Sequence, residues 1–347
     1  MSENQSETAT EWLESTMKFL EHVNDASVKG SMLKISAMAS GREDVMNALV
    51  TYGNWVPDTG DMCEAALGGH VEAMKWLQKC NVAIDAQSND GDMPIHLAAS
   101  SGHVEAVKWL LDNGININAK SQRNETPIHK AAMTGKIEVI GYLKERGADI
   151  YARADGDNLP IDNAAMCNQI ESIKCLADLG ADLNARDNEG KTSIFKAAMN
   201  GKIESIKCLV DLGADVNTRD GNGSVPMYWA AMAGQIESIK CLINLGADIN
   251  STDNFGMTPI FSAAGLGQIE VIKYLMNQGA DINAKSKNGM TPIFLAAGGG
   301  QIESMKCLID LGADLNAKAD NGMTLVDIAN NQGQSEAVDW LRANGVC

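Results

Sequence analysis

Between residues 201 and 213 the apolar side chains fall at Ile203, Ile206, Leu209 and Val210. That spacing puts them on one face of a helix, with Glu204, Lys207 and Asp211 on the other. A shorter segment precedes it, opening after Thr192 and holding the pair Ala197 and Ala198. Paired alanines leave almost no side-chain bulk, so a neighbouring helix can approach closely. Thr192 is expected to cap this first helix by offering its side-chain oxygen to an unpaired N–H group. At sister positions Pro127, Pro259 and Pro292 follow, at the first helical residue, where proline is well tolerated. Gly201 separates the two helices, and Gly213 supplies the left-handed stop of the second. The remainder, ADVNTRDGN, is turn-rich with one alternating stretch and predicts an extended β-hairpin finger.

This unit repeats. Gly190, Gly223, Gly256, Gly289 and Gly322 recur every 33 residues, and the register runs back through Gly91 to about residue 58. A single helix pair cannot bury its own apolar face, so the pairs must stack. The chain, at 347 residues, also exceeds what one compact core supports, whereas an array grows in one dimension.

The segments PIHLAA near residue 95, TPIFLAA near 293, GHVEAVKWLLDNG at 102–114 and GADLNA ending at residue 317 resemble the ankyrin signature. The resemblance covers residues 58 to 347. It implies an all-α ankyrin-repeat solenoid of helix-turn-helix units with hairpin fingers, curved so that fingers and first helices form a concave face. The expected divisions are an amino-terminal helix and atypical capping pair at 1–57, eight repeats at 58–321, and a carboxy-terminal cap at 322–347. An amphipathic helix is predicted from Thr8 to about His22, with Trp12, Leu13, Met17 and Leu20 on one side. From Gly41 to Gly69 the period shortens to 28. At the far end Leu325 stands where sister repeats carry proline, and Asn330, Asn331, Ser335, Glu336 and Asp339 make the last pair polar, as a terminal repeat requires. Residues 157–189 depart most within the array: Asp157 replaces glycine, Leu159 replaces the threonine cap, and Asp162 with Asn163 are polar. This repeat is expected to open first.

Twenty-eight basic against 45 acidic residues give a net charge of −17, which argues against nucleic acid and anionic membranes as partners. The amino terminus lacks a signal-peptide pattern and no apolar run approaches a membrane span, so the chain is expected to be cytoplasmic, in its own cell or one it is delivered to, and monomeric. Cys175, Cys208, Cys241 and Cys307 share a repeat position with Trp76, Trp109, Tyr142 and Trp340. Successive helix axes lie too far apart for them to pair, and they fit a reducing compartment.

Chemistry is sparse. His96 and His129, with Cys63 one repeat earlier, occupy one repeat position and so cannot share a metal ion. In ankyrin repeats this histidine is a structural hydrogen-bonder. The run Gly298, Gly299 and Gly300 lacks a following Lys-Ser/Thr and is expected to smooth a patch of the groove. Without a nucleophile elbow or metal-ligand motif, the chain is expected to be no enzyme and to need no cofactor.

A partner site should break the framework. Met133, Met166, Met199 and Met232 follow the alanine pairs and give way to Gly265 and Gly298; flexible methionines suit an adaptable surface. Near that change stand Trp229, Phe255, Met257, Leu266 and Met290, with Phe255 and Met257 at a fingertip. A basic series, Lys120, Arg153, Arg186, Arg219, Lys285 and Lys318, is interrupted at Thr252 and accompanied by Asp187, Asp220 and Asp253. These residues suggest a protein partner, an acidic segment with an apolar anchor near Phe255 and with Arg219 and Lys285 at the rim. Two other readings are a substrate for an asparaginyl hydroxylase, through Asn184, Asn217 and Asn250, and a regulatory subunit of an enzyme complex.

Overall fold

The computed structural model describes residues 8–20, 26–52 and 54–346. The chain divides into two compact units between Asp155 and Gly156.

In the first unit, the helix Ala9–Phe19 opens with a reciprocal cap: Glu11 N–H donates to Thr8 Oγ1 at 3.2 Å, and Thr8 N–H to Glu11 Oε2 at 2.7 Å. The helix packs on Glu43–Tyr52 and Leu20 is buried. The end predicted at His22 lies outside the described residues. Helix pairs follow from Ala26–Ser40 to Ile137–Glu145. Their first helices stack in order, Thr59–Leu67 on Pro94–Ser101 on Pro127–Met133.

The second unit repeats the arrangement from Pro160–Met166 to Ser335–Ala343. Ala197, Ala198, Ile206 and Leu209 are fully buried, as are Ala263, Ala264, Ala296 and Ala297. The alanine pairs therefore do what their size predicts: they let one first helix lie directly on the next.

Two expectations need correction. Among the described residues there is no β-strand. Three of the expected hairpins are turns in which Asp187 N–H donates to Lys191 O, Asp220 N–H to Ser224 O and Asp253 N–H to Met257 O, each at 2.9 Å, while Gly190, Gly223 and Gly256 N–H donate back to the three aspartate carbonyls at 2.8 to 3.1 Å. Second, Thr192 occupies the cap position but makes no side-chain cap bond, and the Thr258 and Thr291 hydroxyls are buried without a partner. Side-chain capping occurs instead at Thr8, Asp58 and Thr324. Leu159 thus lacks nothing its sisters Thr192, Thr258 and Thr291 supply. There Asp162 does the work: its carboxylate accepts from Leu159 N–H at 2.8 Å and from Ser193 Oγ at 2.6 Å. Leu159 at the cap position therefore costs this repeat no cap bond that its sisters have.

His96 is fully buried. Nδ1 accepts from Met93 N–H at 3.1 Å, and Nε2 faces the Ala119 and Glu125 carbonyls at 2.9 and 3.0 Å. This pattern fits one neutral tautomer, with the proton on Nε2. Burial pushes the imidazole below its usual range, partly opposed by those carbonyls.

Candidate functional site

In the second unit, consecutive turns are tied to one another at their tips. The Glu189 carbonyl accepts from Gly221 N–H, Asn222 from Asn254, Phe255 from Lys287 and Asn288 from Asp320, at 2.8 to 3.0 Å. These are the same repeat position four times over, so one backbone rung joins each turn to the next. Glycine is required beside the rung, since a Cβ on Gly190, whose φ is +79°, would come 2.5 Å from Gly221 N.

Three of these turns are organised by an aspartate. Asp253 Oδ1 accepts from Phe255 N–H and Met257 N–H, both at 2.8 Å. Asp220 Oδ1 holds Asn222 and Ser224 in the same way, and Asp187 Oδ1 holds Glu189 and Lys191. The Phe255 backbone is held on both sides, through its N–H and through its carbonyl. The residue is 55 % exposed.

The other apolar candidates are distributed differently from the cluster expected. Leu266 is 53 % exposed, but it follows the carboxy-terminal end of Pro259–Gly265 whereas Phe255 precedes its start. Seven helical residues, about 10 Å, separate those ends. Met257 and Met290 are half-buried beside the turns, and Met290 lines a cavity of about 350 Å3 with Lys287, Asn288 and Met323. Met199 and Met232 are half-buried. The change from methionine to glycine is a packing device: a methyl on Gly265 would sit 3.3 Å from Leu295 Cβ. The glycine run has a similar cause, because a Cβ on Gly299 would stand 2.4 Å from the Gly265 carbonyl. The smooth patch expected from that run is a close approach between repeats.

Trp229 is engaged internally. Its Nε1–H donates to Asp220 Oδ2 at 2.7 Å, and Lys191 Nζ lies 3.4 Å from the ring centroid. A cation held that close to an indole face steadies the ring. In the preceding repeat Lys196 Nζ takes the same place on Asp187 Oδ2, at 2.6 Å. Burial works to raise the Asp187 carboxyl, but Lys196 and the turn N–H groups outweigh it and hold it below the ordinary range.

The basic series has two uses. Arg219 Nη1 donates to Gly223 O and to Thr252 O, at 2.7 and 2.6 Å, and Arg186 makes the equivalent link to Gly190 O and Arg219 O. These arginines staple one turn to the next. Lys285 and Lys287 are exposed and have no acidic partner among the described residues, unlike Lys207, Lys240, Lys273 and Lys306 on the second helices, each paired with the glutamate three residues before it. Lys287, joined to Phe255 through the rung, carries no signal in the sequence, because a lysine at a turn tip breaks no pattern.

Two of the three asparagines proposed as modification sites, Asn217 and Asn250, have side-chain partners. Asn217 Nδ2 donates to Gly246 O at 3.3 Å and its Oδ1 accepts from Asp248 N–H at 3.2 Å; Asn250 repeats this with Gly279 and Asp281.

A family model described as ankyrin repeats, three copies, matches residues 62–154, 155–220, 213–286 and 260–347. Comparison with curated proteins found no match. Among the described residues no helix is long and apolar enough to cross a membrane. The matches run through both units and coincide with helix pairs set 33 residues apart on buried alanines, and on that ground the chain belongs to the ankyrin-repeat family.

Proposed function

We propose that this protein is a non-catalytic, cytoplasmic, monomeric scaffold. It binds another protein across the turn tips of its second unit, with Phe255 as the anchor and Met257 and Met290 beside it. The observation that carries this reading is the exposure of Phe255 on a fixed backbone: both backbone groups are committed, to Asp253 and Lys287, and the residue is 55 % exposed. An exposed aromatic on a rigid support loses little freedom on binding. The unpaired Lys285 and Lys287 next to it favour acidic side chains in the partner's contacting segment.

Affinity purification of the full chain, with the captured protein then purified and titrated, tests this. Removing a hot-spot aromatic costs about 2 kcal/mol or more, so Phe255→Ala should weaken binding about thirty-fold without changing the melting temperature. If Phe255→Ala binds like the parent while a change at Met133 or Met166 abolishes binding, the site lies in the amino-terminal half of the chain and this placement is wrong.

A further inference from the structure

The three turn aspartates of the second unit are equivalent in every bond but one. On Asp187 and Asp220, Oδ1 organises the turn, and Oδ2 is taken by the side chain nine residues later on the chain's own first helix: Lys196 in one case, Trp229 in the next. The residue nine positions after Asp253 is Ser262. Its hydroxyl is directed elsewhere, to Tyr228 O at 3.0 Å and Pro259 O at 2.8 Å, and Asp253 Oδ2 receives no hydrogen bond among the described residues. A carboxylate has room for about four donors and holds its strongest bonds with cations. Asp253 has two, both on one oxygen. It is half-buried and belongs to the turn that carries Phe255. Tyr228, half-buried nearby, has its phenol raised first by burial and then by the negative charge of Asp253 and Asp220, so the uncompensated charge is felt by its neighbours.

We propose that Asp253 Oδ2 is a specificity subsite that takes a lysine or arginine side chain from the bound partner, in the place that Lys196 fills for Asp187 within the protein itself. This rests on the Phe255 reading and refines it. The partner's segment is not uniformly acidic: it sets one basic residue beside its apolar anchor, with acidic residues toward Lys285 and Lys287.

The test is selection of a random twelve-residue peptide library on phage against the full chain and three variants. Asp253→Asn keeps the acceptor for Phe255 and Met257 N–H while turning the vacant oxygen into a donor. Ser262→Lys supplies the internal cation that the repeat two before it already has. Phe255→Ala removes the anchor. Melting curves confirm that each variant is folded. Peptides selected on the parent should share an apolar residue and a lysine or arginine at fixed spacing. Those peptides should bind Asp253→Asn and Ser262→Lys about tenfold more weakly, and selection on either variant should keep the apolar position and lose the basic one. A consensus that depends on Phe255 but lacks a basic position, or keeps it on both variants, overturns the subsite and leaves the anchor standing. Peptides indifferent to Phe255→Ala, or no enrichment at all, overturn the anchor and the subsite with it.

Discussion

Asp162 stands where His96, Phe195 and Phe261 stand in other repeats, and replacing it separates two effects that oppose each other. The residue is 4 % exposed, Leu159 3 % and Ser193 2 %. Asp162→Ala would leave the Leu159 N–H and the Ser193 hydroxyl without their acceptor in a dry interior. Two bonds to a charged acceptor at 1.5–3 kcal/mol each set the gross loss, and release of a buried charge offsets part of it, leaving a net cost of about 2–4 kcal/mol. Asp162→Asn keeps an oxygen for Leu159 and presents an N–H that the Ser193 oxygen can accept, so its cost at neutral pH should stay within about 1 kcal/mol. Urea denaturation of both variants, with hydrogen exchange followed at residues 159–166, measures the difference. Burial raises the Asp162 carboxyl above its ordinary value, against the bonds from Ser193 and Leu159. Because the folded state holds the proton more tightly than the unfolded chain, its favourable contribution is complete below the unfolded pKa, about 3.9, and is lost as pH rises through the folded value. Asp162→Asn should remove that dependence. If alanine and asparagine variants differ by less than about 0.5 kcal/mol, the carboxylate is not the acceptor that holds this helix start.

Three further outcomes follow from the same geometry. His96 has its imidazole pushed down, so its stabilisation is present above the unfolded value of about 6.5 and is lost as pH falls through the folded one; His96→Phe, a residue its sister positions accept, should flatten the fall in melting temperature between about pH 7 and 5, and an unchanged slope would remove His96 from the acid response. Gly190→Ala should cost clearly more than Gly213→Ala, because both positions have positive φ but only Gly190 faces a backbone neighbour within 4 Å; the left-handed penalty alone is about 1–2 kcal/mol, and equal losses in urea titration would contradict the contact. Arg219→Ala should lower stability by roughly 1 kcal/mol through its two lost carbonyl bonds, while Lys285→Ala leaves stability alone and weakens the salt dependence of partner association; the reverse pattern would exchange staple and rim.

Helices and their stops were legible because they are local. The spacing of Ile203, Ile206 and Leu209, the bulk-free Ala197 and Ala198, and the glycines at 201 and 213 each fix a backbone outcome without reference to a distant residue. The work of Thr192 was not, because whether a hydroxyl caps its helix depends on the geometry of the turn before it. The site was legible in outline only. Phe255 stands out in sequence because a fingertip seldom carries an aromatic, and the residue is 55 % exposed on a backbone bonded on both sides. Trp229 and Arg219 do not stand out in this way, since each is held by a partner that periodicity alone does not reveal: Asp220 for the indole, and Thr252 O, 33 residues on, for the guanidinium. The change to Gly265 reads as an emptied pocket from sequence, because the approach of Leu295 to within 3.3 Å of an added Cβ comes from the next repeat.

The rungs between turn tips are made by main-chain atoms alone, at Glu189, Asn222, Phe255 and Asn288. An acid, two amides and an aromatic ring hang from the same bonded frame, which is indifferent to which of them it holds. Mutation can therefore rewrite what this edge recognises one residue at a time while folding proceeds unaltered, and an array built this way can acquire a new partner without passing through an unstable intermediate sequence.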